Sequence, residues 1–389
     1  MKETLRWFGL SDSVSLKNIL QSGATGVVTS LDHIKTGDVW SYDEILKRKN
    51  IIESNGLDWS VVESVPLHND IKTMSGDYKI YINNYKKSIE NIGKAGIKVI
   101  CYNFMSVLDW TRTSLRYELK NKSLALRFDI IDFAAYDLFI LKRENAEKDY
   151  NKDVCKLADD KFYNYSQYDK DTLERNIIAG LPGGEGSYSR NKINSEIEKF
   201  SKISTSQYRQ NLFDFLNEII PVAEASNVKM SIHPDDPPFP LFGLPRVVSN
   251  ADDLRKIIDA HPSIHNGLTM CVGSLASSKQ NNITEIVQEF SAYIHFIHLR
   301  NIIKEPNGSF YESDHLGGDV DMYRVIKQII REENYRLKRG NDCTIPMRPD
   351  HGHLIGYEST KNVNPGYSFA GRLKGLSELR GVIHSLKRA

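Results

Sequence analysis

Short runs of Val, Ile, Leu, Thr and aromatic residues recur along the chain, and most are followed by a segment whose apolar positions repeat with helical period. The runs at 5–9, 26–30, 59–65, 99–104, 229–233, 268–272, 294–300 and 344–348 suit a pleated, buried surface and predict strands. The segments at 14–22, 42–55, 80–95, 207–225, 251–260, 284–291, 322–339 and 370–387 predict helices. Eight strands alternating with eight helices imply parallel βα units, and eight of each favours closure into a (β/α)8 TIM barrel. An open doubly wound sheet would usually carry a glycine fingerprint after its first strand, and GxGxxG is absent there. One barrel domain over 1–389 is the expected organisation.

The rhythm breaks once. Between the fourth strand and the helix leading to the fifth, residues 106–207 are rich in Lys, Asp, Asn and Tyr, with helical patches at 128–142 and 196–204. This stretch reads as a long, mostly helical insertion on the face where βα loops carry function. Its LPGGEG segment (181–186) lacks the Lys-Ser/Thr of a phosphate loop and reads as an ordinary loop.

Composition narrows the function classes. Among 389 residues, 51 Lys and Arg nearly balance 50 Asp and Glu, so the net charge of +1 gives no electrostatic reason to bind nucleic acid or a membrane surface. No stretch approaches the ~20 apolar residues of a membrane span, and the first residues, MKETLRWFGLSDS, lack a secretory apolar core. Cys101, Cys155, Cys271 and Cys343 are widely spaced without a CxxC pair. Reduced thiols, and therefore a soluble cytoplasmic enzyme, are expected.

Catalytic groups of such a barrel gather at the carboxyl ends of its strands. The fifth strand ends in MSIHPDDPP and delivers His233, then Asp235 and Asp236; the sixth delivers Cys271; the seventh delivers His298 and Arg300; the eighth delivers Asp350, His351 and His353. Four consecutive strands thus offer His, Cys, His and Asp, all competent ligands for a divalent transition metal. Strands ~4.8 Å apart let such side chains converge on one ion. Of the adjacent pair Asp235 and Asp236, at most one should face the centre. His351, next to Asp350, is expected to point away from the metal while staying near the site. His351 and Tyr367, the latter after the Pro365–Gly366 turn, are candidates for proton transfer. Asn103, Trp110, Arg112 and Arg300 are candidates for holding an anionic substrate. His33 and Glu63 would complete a polar mouth, His353 reads as structural, and HLGGDVDM (315–322) either shapes the mouth or caps a helix.

The chain also resembles a known family, that of mannonate dehydratase. The likeness runs over nearly its whole length: LRWFG, GATGVVTSLDHI, GDVWSYDEILKRK, WSVVESVP, CYNFMSVLDWTRT, NIIAGLPG, HPDDPP, FGLPRVVS, TMCVGS, HLR, HLGGDVDMY, IPMRPDHGH and NPGYS followed by GRLKGLSELRG. The LASSKQNN that follows TMCVGS is a local departure. The resemblance implies a barrel similar to xylose isomerase and one Mn²⁺ or Fe²⁺ held by His233, Cys271, His298 and Asp350. It implies acid/base roles for His351 and Tyr367, and loss of water from D-mannonate to give 2-dehydro-3-deoxy-D-gluconate in hexuronate breakdown. A homo-oligomer, with a dimer favoured, goes with the same resemblance. The alternative is a metal-dependent sugar isomerase or epimerase of the same fold, although such enzymes usually lean on carboxylate ligands. A DNA-repair endonuclease of this fold would want more His and Glu at the strand ends and a basic face.

Overall fold

The computed structural model describes residues 1–178, 189–340 and 344–388, so the 181–186 loop and Cys343 lie outside the described residues. Twelve strands are found among the described residues: β1 (Lys2–Arg6), β2 (Gly26–Thr29), β3 (Asp58–Glu63), β4 (Val99–Tyr102), β5 (Ser114–Glu118), β6 (Leu124–Phe128), β7 (Lys229–Ile232), β8 (Asn266–Cys271), β9 (Ile294–His298), β10 (Ile302–Lys304), β11 (Phe310–Glu312) and β12 (Pro346–Arg348). β1, β2, β3, β4, β7, β8, β9 and β12 pair in parallel, and β12 returns to β1 to close the ring. These are the eight strands the hydrophobic pattern predicts.

Barrel strands are covered on both faces, which explains why they read as continuous apolar runs rather than alternating ones. Every residue of β2, β4, β8 and β9 is buried. Val28, Val61, Val99, Cys101 and Phe296 pack together as one cluster, with Val28 beside Val61 across β2 and β3. Their strand neighbours Val27, Val62, Ile100 and Ile297 belong to the larger core formed with the helices. Alternation along each strand thus separates an interior from a helix-facing layer. Helices follow the barrel strands, and most start on a side-chain cap: Ser15, Ser41, Ser204, Asn250, Asn282 and Asp321 each accept a bond from the first turn.

The segment between β4 and β7 differs from the expectation at its start. β5 and β6 form an antiparallel hairpin, and helices follow only from Ile130–Ala135 through Lys152–Tyr163, Gln167–Ile178 and Arg190–Ser201. β6 pairs with β11, which pairs with β10, giving a second, four-stranded antiparallel sheet. Phe128 of β6 stacks on Phe310 of β11 at 5.6 Å and meets Phe133 at 5.4 Å. The sheet joins two parts of the chain nearly two hundred residues apart. Its last residue, Glu312, reaches the site described next.

Candidate active site

Pairing register sets the level of the candidate residues. Cys271 lies opposite His298, and His298 opposite Arg348, so the ends of β8, β9 and β12 are in line. His233 follows the last residue of β7, where its backbone N–H donates to Tyr102 O at 2.7 Å. The ligand atoms of His233, Cys271 and His298 all lie within 4.8 Å of one another. Asp350 closes the group, with Oδ2 3.7 Å from Cys271 Sγ and Oδ1 3.8 Å from His298 Nδ1. The structure therefore gathers His233, Cys271 and His298 at one point and sets Asp350 beside two of them.

Their surroundings fit a cation. His298 is fully buried edge-on to Phe296, and neither ring nitrogen makes a well-aligned hydrogen bond: Nε2 lies 3.3 Å from Glu63 Oε1 and Nδ1 3.8 Å from Asp350 Oδ1. Such orphaned buried groups are costly unless something else satisfies them. His233 Nδ1 lies 2.6 Å from Pro234 O, an acceptor, so Nδ1 carries the proton and Nε2 offers a lone pair. Burial also lowers the His233 pKa and favours the neutral, ligating form. The donor set of two imidazoles, a thiol and a carboxylate suits a divalent transition metal.

Beside this cluster opens a small cavity, bordered by Asn103, Trp110, Arg300, Asp350, His351 and Tyr367 together with Arg6, Phe8, Glu63, His233, Asp236 and Arg348. Asp350 has φ +70°, a left-handed conformation uncommon for a residue with a side chain. This breaks strand alternation, which corrects the expectation for His351: Asp350 and His351 both face the cavity. His351 Nδ1 lies 2.8 Å from Glu312 Oε1. An ionised carboxylate only accepts, so Nδ1 carries the proton and Nε2 is left as the basic nitrogen. The His351 and Tyr367 rings meet edge-on with centroids 5.0 Å apart, and burial pushes the Tyr367 hydroxyl up to about 12. Tyr367 thus holds its proton at neutral pH.

Gly366 makes this juxtaposition possible. Its φ is +81°, and a Cβ there would lie 2.9 Å from His351 Cγ and 2.8 Å from Leu126 Cδ1. Gly366→Ala is expected to lower turnover at least ~10-fold and to cost about 1–3 kcal/mol, since it combines left-handed backbone with overpacking. Steady-state kinetics and thermal unfolding of the variant check this; a variant equal to wild type in both contradicts it.

A charge lattice surrounds the cavity. Arg300 Nη2 lies 2.7 Å from Asp236 and Nη1 3.3 Å from Glu312. Arg112 Nη1 lies 2.9 Å from the same Asp236 and Nη2 3.2 Å from Glu312. Arg348 pairs with Glu63 at 3.0 Å and Asp350 at 2.5 Å. Arg112 is a correction: it is fully buried behind Asp236 and does not border the cavity, so it reaches the site only through Asp236 and Glu312. Asp236 faces the cavity, whereas Asp235 is turned into Val248 N and Ser249 Oγ, as alternation requires. His33 is another correction, being half-exposed and paired with Glu44 on the surface. Glu63 does border the cavity. His353 lies 3.0 Å from Glu312 O, beneath the site, and in the 315–322 loop Asp321 caps the helix Met322–Lys338. The sequence reading did not pick out Glu312 or Arg348. Arg348 sits at a strand end and was open to inspection, but nothing local marks Glu312.

Burial acts to raise the Glu312 pKa, but His351, Arg300 and Arg112 overcome it and lower it from the usual 4.5 to about 2. A carboxylate lowered on folding contributes stability that is present above its unfolded pKa and lost as pH falls through its folded one. Melting temperature is therefore expected to fall between pH 4.5 and 2, and less steeply in Glu312→Gln. Equal slopes in the two proteins would contradict the assignment.

Chemistry assembled at the carboxyl ends of eight parallel strands defines an enzyme of the (β/α)8 class. Comparison with known proteins is specific. The D-mannonate dehydratase (UxuA) family matches residues 1–389. Mannonate dehydratase of Saccharophagus degradans is 56% identical over 389 residues, covering 100% of this chain and 98% of that protein. Mannonate dehydratase 2 of Agrobacterium fabrum is 49% identical over 388 residues, with the same coverage. The crystal structure of mannonate dehydratase from Streptococcus suis serotype 2 superposes with a TM-score of 0.78 at 33% identity, covering 100% of this chain and 94% of that one. The chain belongs to the D-mannonate dehydratase family, and it is a hydro-lyase.

Proposed function

We propose that the chain removes water from D-mannonate, giving 2-dehydro-3-deoxy-D-gluconate, with one divalent cation held by His233, Cys271, His298 and Asp350. Family membership over the full length supports the activity. The single observation that carries the ligand set is the convergence of the ligand atoms of His233, Cys271 and His298 within 4.8 Å of one another. When bound, the cation supplies positive charge beside the substrate carboxylate, which makes the C2 proton more acidic.

The chain's own residues do the rest. His351, with Nδ1 held by Glu312, takes the C2 proton on Nε2. Tyr367, protonated at neutral pH, gives its proton to the departing C3 hydroxyl. Asn103 and Trp110 border the substrate, and Arg300 is fixed by Asp236 and Glu312 so that its place is set before substrate arrives. Arg112 acts through Asp236 and Glu312. Mn²⁺ or Fe²⁺ as the cation, hexuronate breakdown as the setting, the cytoplasm as the compartment and a homodimer as the assembly belong to the same reading. No helix among the described residues is long and apolar enough to cross a membrane.

Product analysis by NMR with D-mannonate tests the activity. The expected product is 2-dehydro-3-deoxy-D-gluconate with loss of water. Recovery of an isomeric acid at unchanged mass would instead favour an isomerase or epimerase.

A further inference from the structure

Three guanidinium groups border the cavity, those of Arg6, Arg300 and Arg348, and two are committed to carboxylates: Arg300 to Asp236 and Glu312, Arg348 to Glu63 and Asp350. Arg6 is the exception. It ends β1, borders the cavity and is 5% exposed. Its Nη2 donates to Ser30 Oγ at 3.3 Å, and Ser30 in turn donates to Asp32. Its guanidinium lies over the Phe8 ring at 4.8 Å. Nη1 is buried with no hydrogen-bond partner, and among the described residues no carboxylate lies within 4.0 Å of the group. Glu63 feels its charge only at longer range.

A buried cation whose fork is held at one tip and empty at the other is a costly arrangement unless an anion completes it.

We propose that Arg6 anchors the substrate's carboxylate: Nη2 stays on Ser30 while Nη1 donates to a carboxylate oxygen. This inference rests on the substrate class proposed above. It makes Arg6 a specificity-determining residue that selects sugar acids over neutral sugars of the same length. A purely structural role, holding Phe8 beneath Tyr367, is the competing account, since those two rings meet edge-on at 4.7 Å.

Arg6→Ala and Arg6→Lys separate the two. For Arg6→Ala, kcat/KM for D-mannonate is expected to fall about 100-fold, more through KM than kcat, and added methylguanidinium should restore part of it. Arg6→Lys, which keeps the charge but loses the fork, should raise KM about 10-fold at unchanged melting temperature and metal content. An unchanged KM in either variant, or a kcat loss at constant KM without rescue, overturns the proposal. If Arg6→Ala does not fold, Arg6→Lys decides by the same readings. Calorimetric titration of metal-loaded protein with D-mannonate reads the anchor independently of turnover. Wild type that binds D-mannonate without dehydrating it would sink the proposed activity while leaving the anchor standing. Equal binding by wild type and the variants would sink the anchor alone.

Discussion

His298→Gln is expected to fold, to lose its divalent cation and to turn over D-mannonate at least on the order of 10³ more slowly than wild type. The position is fully buried, so the substitution must leave the interior nearly as full as it was. Gln keeps most of the volume and adds an amide that Asp350, 3.8 Å from His298 Nδ1 in the native chain, can accept from. What it removes is an imidazole whose ligand nitrogen lies within 4.8 Å of the ligand atoms of His233 and Cys271. Losing one of four proposed ligands leaves His233, Cys271 and Asp350, one donor short of the set that holds the cation. Metal analysis of the purified variant beside its circular dichroism checks the prediction. A folded variant that keeps stoichiometric metal and full turnover would remove His298 from the site.

The second large effect separates acid from base. In Tyr367→Phe, turnover is expected to fall about 10²–10⁴-fold while exchange of the C2 hydrogen with deuterated solvent continues. His351→Asn should lose both. The asymmetry comes from geometry and protonation. Glu312 fixes the His351 tautomer that leaves Nε2 basic, whereas burial holds the Tyr367 hydroxyl protonated. Elimination needs a proton delivered to C3, and exchange needs only a base at C2. Exchange surviving in His351→Asn and vanishing in Tyr367→Phe would reverse the two assignments.

Much of the fold was legible because parallel barrel strands, buried on both sides, announce themselves as short apolar runs between amphipathic segments. The strand ends were legible too. Once eight strands are counted, His233, Cys271, His298 and Asp350 fall at the last turn before solvent, and the topology alone brings them together. What escaped has physical reasons. β10 and β11 are three residues each, too short to show a period, and β6 finds its partner β11 far along the chain. Glu312 therefore reaches His351 by a pairing no local pattern encodes. Asp350 adopts a left-handed backbone that alternation does not foresee, so His351 turns toward the cavity. Arg112 carries the charge expected of an anion binder, yet Asp236 and Glu312 already use it. Arg6 shows the converse. At the end of β1 it looks like any strand-flanking arginine, and only the absence of a carboxylate partner in three dimensions sets it apart.

X-ray absorption at the metal edge of the protein loaded with Mn²⁺ or Fe²⁺ addresses the shared cation most directly. The spectrum should contain one sulfur scatterer alongside nitrogen and oxygen, at roughly the 2.3 Å typical of a metal–thiolate bond. Cys271→Ser should lose that sulfur, and His298→Gln should lose the bound metal. A native spectrum of nitrogen and oxygen alone, or a sulfur signal that survives Cys271→Ser, would contradict a site built from these four strand ends.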